Sequence, residues 1–216
     1  MFPTAKEGEG ERFVAVIDDD ESVREALRGL FQSVGLATEI FGSVQDFIQA
    51  GGLKRAACIV LDIRLPGRSG LEFQEALARS GAALSVVLIS GHVDVQMAVR
   101  AMKAGAVDVL TKPVREQDLL EAVNRALAAD RLRREEAKGD EALRARHQTL
   151  SDRERQVFAM VAAGLLNKQI AERAAITEAT VKLHRSQVMK KMEAVSLPDL
   201  VRMADRLAKA EAREAL

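Results

Sequence analysis

Ile59-Val60-Leu61-Asp62-Ile63-Arg64-Leu65-Pro66-Gly67 is a short apolar run that stops on a carboxylate and then turns. A continuous apolar run closed by Pro and Gly predicts a strand buried on both faces, because a strand with one wet face would alternate. Asp62 then falls at the strand's carboxyl end, the edge along which open α/β sheets bind ligands. Read alone, it fits a turn or helix-capping aspartate equally well. What decides is whether other polar residues also end apolar runs.

Upstream, Phe13-Val14-Ala15-Val16-Ile17 has the same form and runs straight into Asp18-Asp19-Asp20. Val23, Ala26, Leu27, Leu30, Phe31 and Val34 follow at helical spacing, and Gly35 supplies the stop. Residues 37–41 suit a second strand and residues 44–50 a short helix. Downstream of Asp62 a helix is expected over about 71–78, then a strand from Leu84 to Ile89 that ends on Ser90-Gly91-His92. Val95 to Ala104 reads as helix, closed by Gly105. Val107 to Leu110 forms a fifth strand that ends on Thr111-Lys112-Pro113, and another helix opens near Glu116. Strands alternating with helices in this way predict an α/β fold, a doubly wound five-stranded parallel sheet. In a parallel sheet all carboxyl ends share one edge. Asp18, Asp19, Asp62, Ser90 and Lys112 therefore meet on one rim: three acids, a hydroxyl and an ammonium. Turn chemistry accounts for any one of them but poorly for the set.

The chain's 216 residues allow one large domain or two small ones. Its 32 Lys and Arg balance 32 Asp and Glu, so any nucleic-acid surface has to be a local basic patch. The single cysteine, Cys58, rules out a disulfide framework and reads as a buried core thiol. Residues 1–11 are polar and Gly-rich, are expected to be disordered and carry no apolar signal region. No apolar run nears membrane length, so a cytoplasmic protein without membrane contact is expected.

The first domain is expected to end near residue 129. From 130 to 147 the charges alternate in sign with sparse apolar residues, which predicts a solvated helical linker, broken or kinked near Gly139. The apolar heptad there is too thin for a coiled coil. A small all-α domain follows over 148–216. Ser151-Asp152-Arg153-Glu154 has the capping-box form, and Val157, Phe158, Val161 and Ala162 carry a core face to Gly164. A short helix over about 167–174 and a turn lead to Thr177, a good N-cap for a helix reaching Met192. Ser196 to Asp199 caps a last helix, with Leu200, Val201, Ala204 and Leu207 facing in and fraying expected after about Lys209.

Residues 167–192 hold six cations against two acids in a chain that is neutral overall. Such a run is most often a solvated face, but here the geometry adds to it. Val181, Val188 and Met192 share one face of the helix after Thr177. The opposite face presents Ala179, Lys182, Leu183, Ser186, Gln187 and Lys190, a small, polar and cationic set suited to a major groove. Lys168 and Thr180 lie near helix starts, where phosphate contacts are favoured. His184 reads as a partly buried helix residue.

Crowded carboxylates repel, and a hard cation such as Mg²⁺ relieves that repulsion with carboxylates, waters and a phosphate oxygen as ligands. Asp62 is then a nucleophile for phosphorus, with Lys112 and Ser90 on the transferred oxygens. The donor has to come from elsewhere, because no nucleotide-binding Gly-rich loop is present.

Ile17-Asp18-Asp19-Asp20, Leu61 to Gly67, Ile89-Ser90-Gly91-His92 and Thr111-Lys112-Pro113 resemble the four motifs of two-component receiver domains, and Met97 to Ala106 is similar to the FixJ branch. The resemblance spans about residues 12–128. It implies a flavodoxin-like strand order 2-1-3-4-5, Mg²⁺ held by Asp18, Asp19, Asp62 and the backbone carbonyl of Arg64, and a cis Lys112–Pro113 bond. One position departs: receivers usually place a switching aromatic where this chain has Val109, so that rotamer switch cannot operate here. Leu150 to Glu154, Gly164 to Ile170, Thr180 to Arg185 and Ser196 to Ala204 resemble the LuxR-type helix-turn-helix.

Together these imply a FixJ/NarL-type response regulator rather than an enzyme. A sensor histidine kinase phosphorylates Asp62, the face of the Val95 helix, last strand and following helix changes, and the chain dimerises on promoter DNA, with RNA polymerase a further partner. An aspartyl-phosphate phosphatase is the enzymatic rival, but its motif needs Asp where Arg64 stands. A receiver that serves only as an unphosphorylated interaction module is the other rival, and the full acid set weighs against it.

Overall fold

The structure, a computed structural model, describes residues 12–67 and 69–214. The chain divides into two compact units between Arg133 and Arg134. The expected disorder of the first eleven residues lies outside the described residues.

In the first unit β1 (Phe13–Ile17), β2 (Thr38–Phe41), β3 (Ala56–Asp62), β4 (Ser85–Ser90) and β5 (Asp108–Thr111) form one sheet of order β2-β1-β3-β4-β5. Every pairing is parallel. The continuous apolar runs take the centre: every residue of β1, β3 and β4 is buried, while the polar-interrupted β2 and β5 form the half-buried edges. Alternate residues feed two cores, as the two-residue period of a strand requires. Phe13, Ala15 and Ile17 face a layer with Phe47, Leu71, Phe73, Leu77 and Ala101. Val14 and Val16 face Phe31, Leu119, Ala122, Val123 and Ala126. Thus α1 (Glu21–Ser33) and α6 (Glu116–Gln148) cover one side. The other is covered by α2 (Val44–Gln49), α4 (Gly70–Arg79) and α5 (Val95–Lys103), with the single turn α3 (Gly52–Arg55) leading into β3. Cys58 is fully buried, as expected, and burial pushes its thiol up to about 12.

Two expectations for the connecting region need correction. Helix α6 runs unbroken from Glu116 to Gln148, through Gly139. A Cβ at 139 would lie 2.5 Å from Nη2 of Arg206, so the glycine leaves room for a close side-chain approach. Nor is the whole of 130–147 solvated. Asp130 is buried, 2.7 Å from Arg12, and Leu143 belongs to the core of the second unit.

That second unit contains the end of α6 with α7 (Asp152–Ala162), α8 (Asn167–Ala174), α9 (Glu178–Met192) and α10 (Leu197–Glu214). The Ser151–Glu154 capping box forms at the start of α7. Ala175, at a left-handed φ of 52°, turns the chain from α8 toward α9. The core gathers Leu143, Leu150, Val157, Phe158, Val161, Ile170, Val181, Val188, Met192, Leu200 and Leu207. Ala162, Val201 and Ala204 are only half-buried. Helix α10 continues to Glu214, beyond the expected fraying point near Lys209, on an amphipathic pattern that keeps Leu200, Leu207 and Ala210 buried.

Candidate functional site

The carboxyl ends of β1, β3 and β5 bring Asp18, Asp19, Asp62 and Lys112 together. One oxygen from each of the three carboxylates lies within 4.8 Å of the others. Lys112 Nζ donates to Asp18 Oδ2 and to Asp62 Oδ2, each at 2.6 Å, so one ammonium bridges two acids. The Lys112–Pro113 bond is cis, as the resemblance implied.

Local contacts hold the acids in place. The amide of Asp20 donates to Asp18 Oδ1 at 3.0 Å, and the amide of Arg64 to Asp62 Oδ1 at 2.9 Å. Asp18 is wholly buried and Asp62 nearly so, whereas Asp19 is exposed. Burial raises the Asp18 pKa above its ordinary value, against the opposing effect of the Lys112 hydrogen bond. For Lys112 burial favours loss of the proton, but the hydrogen bonds to Asp18 and Asp62 prevail and raise its pKa. Three carboxylates converging beside a backbone turn form an all-oxygen donor set, which fits a hard divalent cation.

Ser90 ends β4 on the same edge, opposite Thr111 of β5. Its buried hydroxyl donates to the His92 carbonyl at 3.0 Å, so in this structure it serves the following loop and bonds to none of the acids. Val109 packs as half-buried strand filling. Two contributors escaped the sequence reading. Arg24 Nη1, on α1, donates to the Asp18 carbonyl at 2.7 Å. Gly70 passes so close to the strand end that a Cβ there would lie 2.1 Å from the Asp62 carbonyl oxygen. The glycine after the Asp62 turn was a visible signal for the second; nothing local pointed to Arg24.

In the second unit, Ala179, Lys182, Leu183, Ser186, Gln187 and Lys190 are all exposed on α9, and Lys168 is exposed in the first turn of α8. Leu183 shows 59% of its surface on that face. Thr180 is half-buried, and its hydroxyl shares a 2.8 Å bond with the capping hydroxyl of Thr177. His184 is half-buried, as expected. Two of the six cations point elsewhere: Arg185 donates to Asn167 Oδ1 at 2.7 Å, and Lys191 to Glu154 Oε2 at 2.6 Å.

The response regulator receiver model matches residues 14–124, just over half of the chain, and the model of the luxR family of bacterial regulatory proteins matches residues 148–204. The chain belongs to the response-regulator family. Nodulation protein W of Bradyrhizobium diazoefficiens is 48% identical over 90% of this response regulator and 86% of its own length. The transcriptional regulatory protein FixJ of Rhizobium meliloti is 44% identical over 88% of this chain and 94% of its own. Among solved structures, the response regulator StyR aligns with a TM-score of 0.77 at 40% identity, covering 91% of this chain and 99% of StyR. Full-length FixJ from B. japonicum aligns at 0.54 and 36% identity, covering 93% and 99%. The response regulator is therefore a transcription factor with a receiver and a LuxR-type DNA-binding domain, not an enzyme of the phosphatase kind. Its family pairs with histidine kinases and binds DNA. Among the described residues no helix is long and apolar enough to cross a membrane.

Proposed function

We propose that Asp62 is the phosphoacceptor and that its phosphorylation by a sensor histidine kinase controls promoter binding by α9. The observation that carries this reading is the Lys112 ammonium bridging Asp18 and Asp62 at 2.6 Å. A carboxylate oxygen of Asp62 attacks phosphorus on the kinase's phosphohistidine; the O–P bond forms, the P–N bond breaks, and the imidazole leaves with the bonding pair. Asp18, Asp19, Asp62 and the Arg64 carbonyl would hold Mg²⁺, which supplies charge neutralisation at the transferring group. Lys112 keeps its proton and stands ready to pair with a phosphoryl oxygen. Ser90 exchanges its bond to His92 for one to that group, moving the loop that leads into α5. With Val109 in place of an aromatic, the signal runs through this loop and α5 to a dimer-competent state, and the chain works in the cytoplasm with RNA polymerase as a downstream partner.

On the DNA side, Lys182, Leu183, Ser186, Gln187 and Lys190 face the major groove, with Lys168 and the start of α9 near Thr180 on phosphates. The receiver half is tested by label transfer. Asp62→Asn is expected to abolish Mg²⁺-dependent labelling from a phosphorylated histidine kinase; wild-type labelling of that variant overturns the assignment.

A further inference from the structure

We infer that Arg185 is a positioning residue and not a phosphate ligand: its bond to Asn167 sets the start of α8 against the reading face of α9. This deepens the DNA-binding reading above and rests on it.

Arg185 lies in the basic stretch of α9, where a cation is by default a candidate for the DNA backbone. Its guanidinium is turned instead onto the helix that precedes the recognition helix. Nη1 donates to Asn167 Oδ1 at 2.7 Å, a charge-assisted bond in a half-buried setting. Asn167 is the first residue of α8, and exposed Lys168 follows it. The same helix start is held a second time, by Gln169 Oε1 accepting from the Leu166 amide at 2.8 Å. On α9, Val181, Val188 and Met192 fix the buried side, while Lys182, Ser186, Gln187 and Lys190 are exposed. Between those sides Arg185 makes the one side-chain hydrogen bond between α8 and α9 among the described residues. The cations thus divide by role. Lys182 and Lys190 present charge to DNA, whereas Arg185 determines where the Lys168 turn stands when they do so.

A strut and a phosphate ligand differ in their response to salt. Each lost phosphate contact lowers the slope of log affinity against log salt by about 0.9, while a lost strut weakens binding without changing the number of ions released. The test uses the full-length chain and a duplex recovered by that chain from a random pool, titrated by fluorescence anisotropy across a salt series. Wild-type binding in the same titration checks the DNA-binding reading on its own. Asn167→Ala and Arg185→Ala are each expected to weaken binding on the order of tenfold, with the salt slope kept. The double variant is expected to be no weaker than either single, since both remove one interaction. Affinities are corrected for the folded fraction measured by circular dichroism at the assay temperature. A slope lower by about one in Arg185→Ala, with Asn167→Ala unaffected, overturns the strut in favour of a phosphate contact. Corrected affinities equal to wild type in both singles overturn it in favour of a purely stabilising bond.

Discussion

Lys112 Nζ lies 2.6 Å from Asp62 Oδ2 and at the same distance from Asp18 Oδ2, so two of the receiver's three acids are held together by a cation belonging to the chain itself. Removing that ammonium leaves wholly buried Asp18 facing Asp62 with no counter-charge. Lys112→Ala is expected to cost about 3 kcal/mol of receiver stability in metal-free buffer, the penalty of breaking a buried pair from one side. Millimolar Mg²⁺ should restore part of that loss, and labelling at Asp62 should persist while losing its effect on DNA binding. Thermal unfolding with and without Mg²⁺ checks the first half; an unchanged midpoint in metal-free buffer would show that the bridge contributes little.

Gly70 is fixed by backbone geometry. Its missing Cβ would stand 2.1 Å from the Asp62 carbonyl oxygen and 3.0 Å from Leu61 Cγ, and a backbone atom cannot swing aside as a side chain can. Gly70→Ala is expected to cost about 1–3 kcal/mol by overpacking and to slow phosphoryl labelling by displacing the end of β3. Urea unfolding and label-transfer rates measured together check this. A variant that labels at the wild-type rate would mean that α4 shifts and leaves Asp62 in place.

Much of this was legible in the chain because burial and topology are written in period and punctuation. Apolar runs ending on Asp18, Asp62, Ser90 and Lys112 determined the sheet and the shared rim, since a parallel sheet leaves its carboxyl ends no other place to go. Contacts made by long side chains across the fold were not legible. Arg24 on the Asp18 carbonyl and Lys191 on Glu154 depend on three-dimensional proximity that spacing does not encode. Gly139 misled for the same reason: locally a glycine in a polar helix reads as a break, and only the position of Arg206 shows why the helix keeps it.

Glu154 gives the second unit a pH dependence of known sign. Its carboxylate accepts from Lys191 Nζ at 2.6 Å and from the Ser151 amide at 2.7 Å, and the Lys191 bond first, then the amide, lowers its pKa below the ordinary 4.5. A depressed carboxylate stabilises the fold above its unfolded pKa and loses that contribution as pH falls through the folded value. Glu154→Gln is therefore expected to be less stable than wild type by on the order of 1 kcal/mol at neutral pH, with the gap closing below about pH 4.5. Parallel thermal melts from neutral to acid pH check it. A gap constant across that range would mean that packing, not ionisation, is what the glutamate supplies.

Lys182 and Lys168 should separate reading from holding. Lys182 is exposed at the centre of the α9 face, and Lys168 at the first turn of α8. Lys182→Ala is expected to cost about 1–3 kcal/mol on the preferred duplex and little on unrelated DNA. Lys168→Ala should weaken all duplexes alike and reduce the salt slope by about one. Competition titrations against a scrambled duplex distinguish them. Unchanged affinity and preference in Lys182→Ala would remove this face as the reader.

Arg206 and Gly139 make the remaining test, and its sign depends on background. Arg206 Nη2 donates to the Glu136 carbonyl at 2.9 Å, and its Nε pairs with Asp140, so the guanidinium lies across α6 where Gly139 leaves room. An interior glycine costs a helix about 1 kcal/mol relative to alanine, so Gly139→Ala would ordinarily stabilise an exposed helix. Here the new methyl would meet Nη2 at 2.5 Å and push the guanidinium off its two acceptors. The two effects oppose, and Gly139→Ala is expected to leave stability nearly unchanged or lower it slightly. In an Arg206→Ala background the clash is gone, and the same substitution should stabilise by the full ~1 kcal/mol of helix propensity. The coupling between the two sites, read from urea unfolding of the four proteins in the cycle, is the decisive quantity. If Gly139→Ala stabilises equally in both backgrounds, Arg206 does not depend on the glycine, and the uninterrupted α6 owes nothing to that contact.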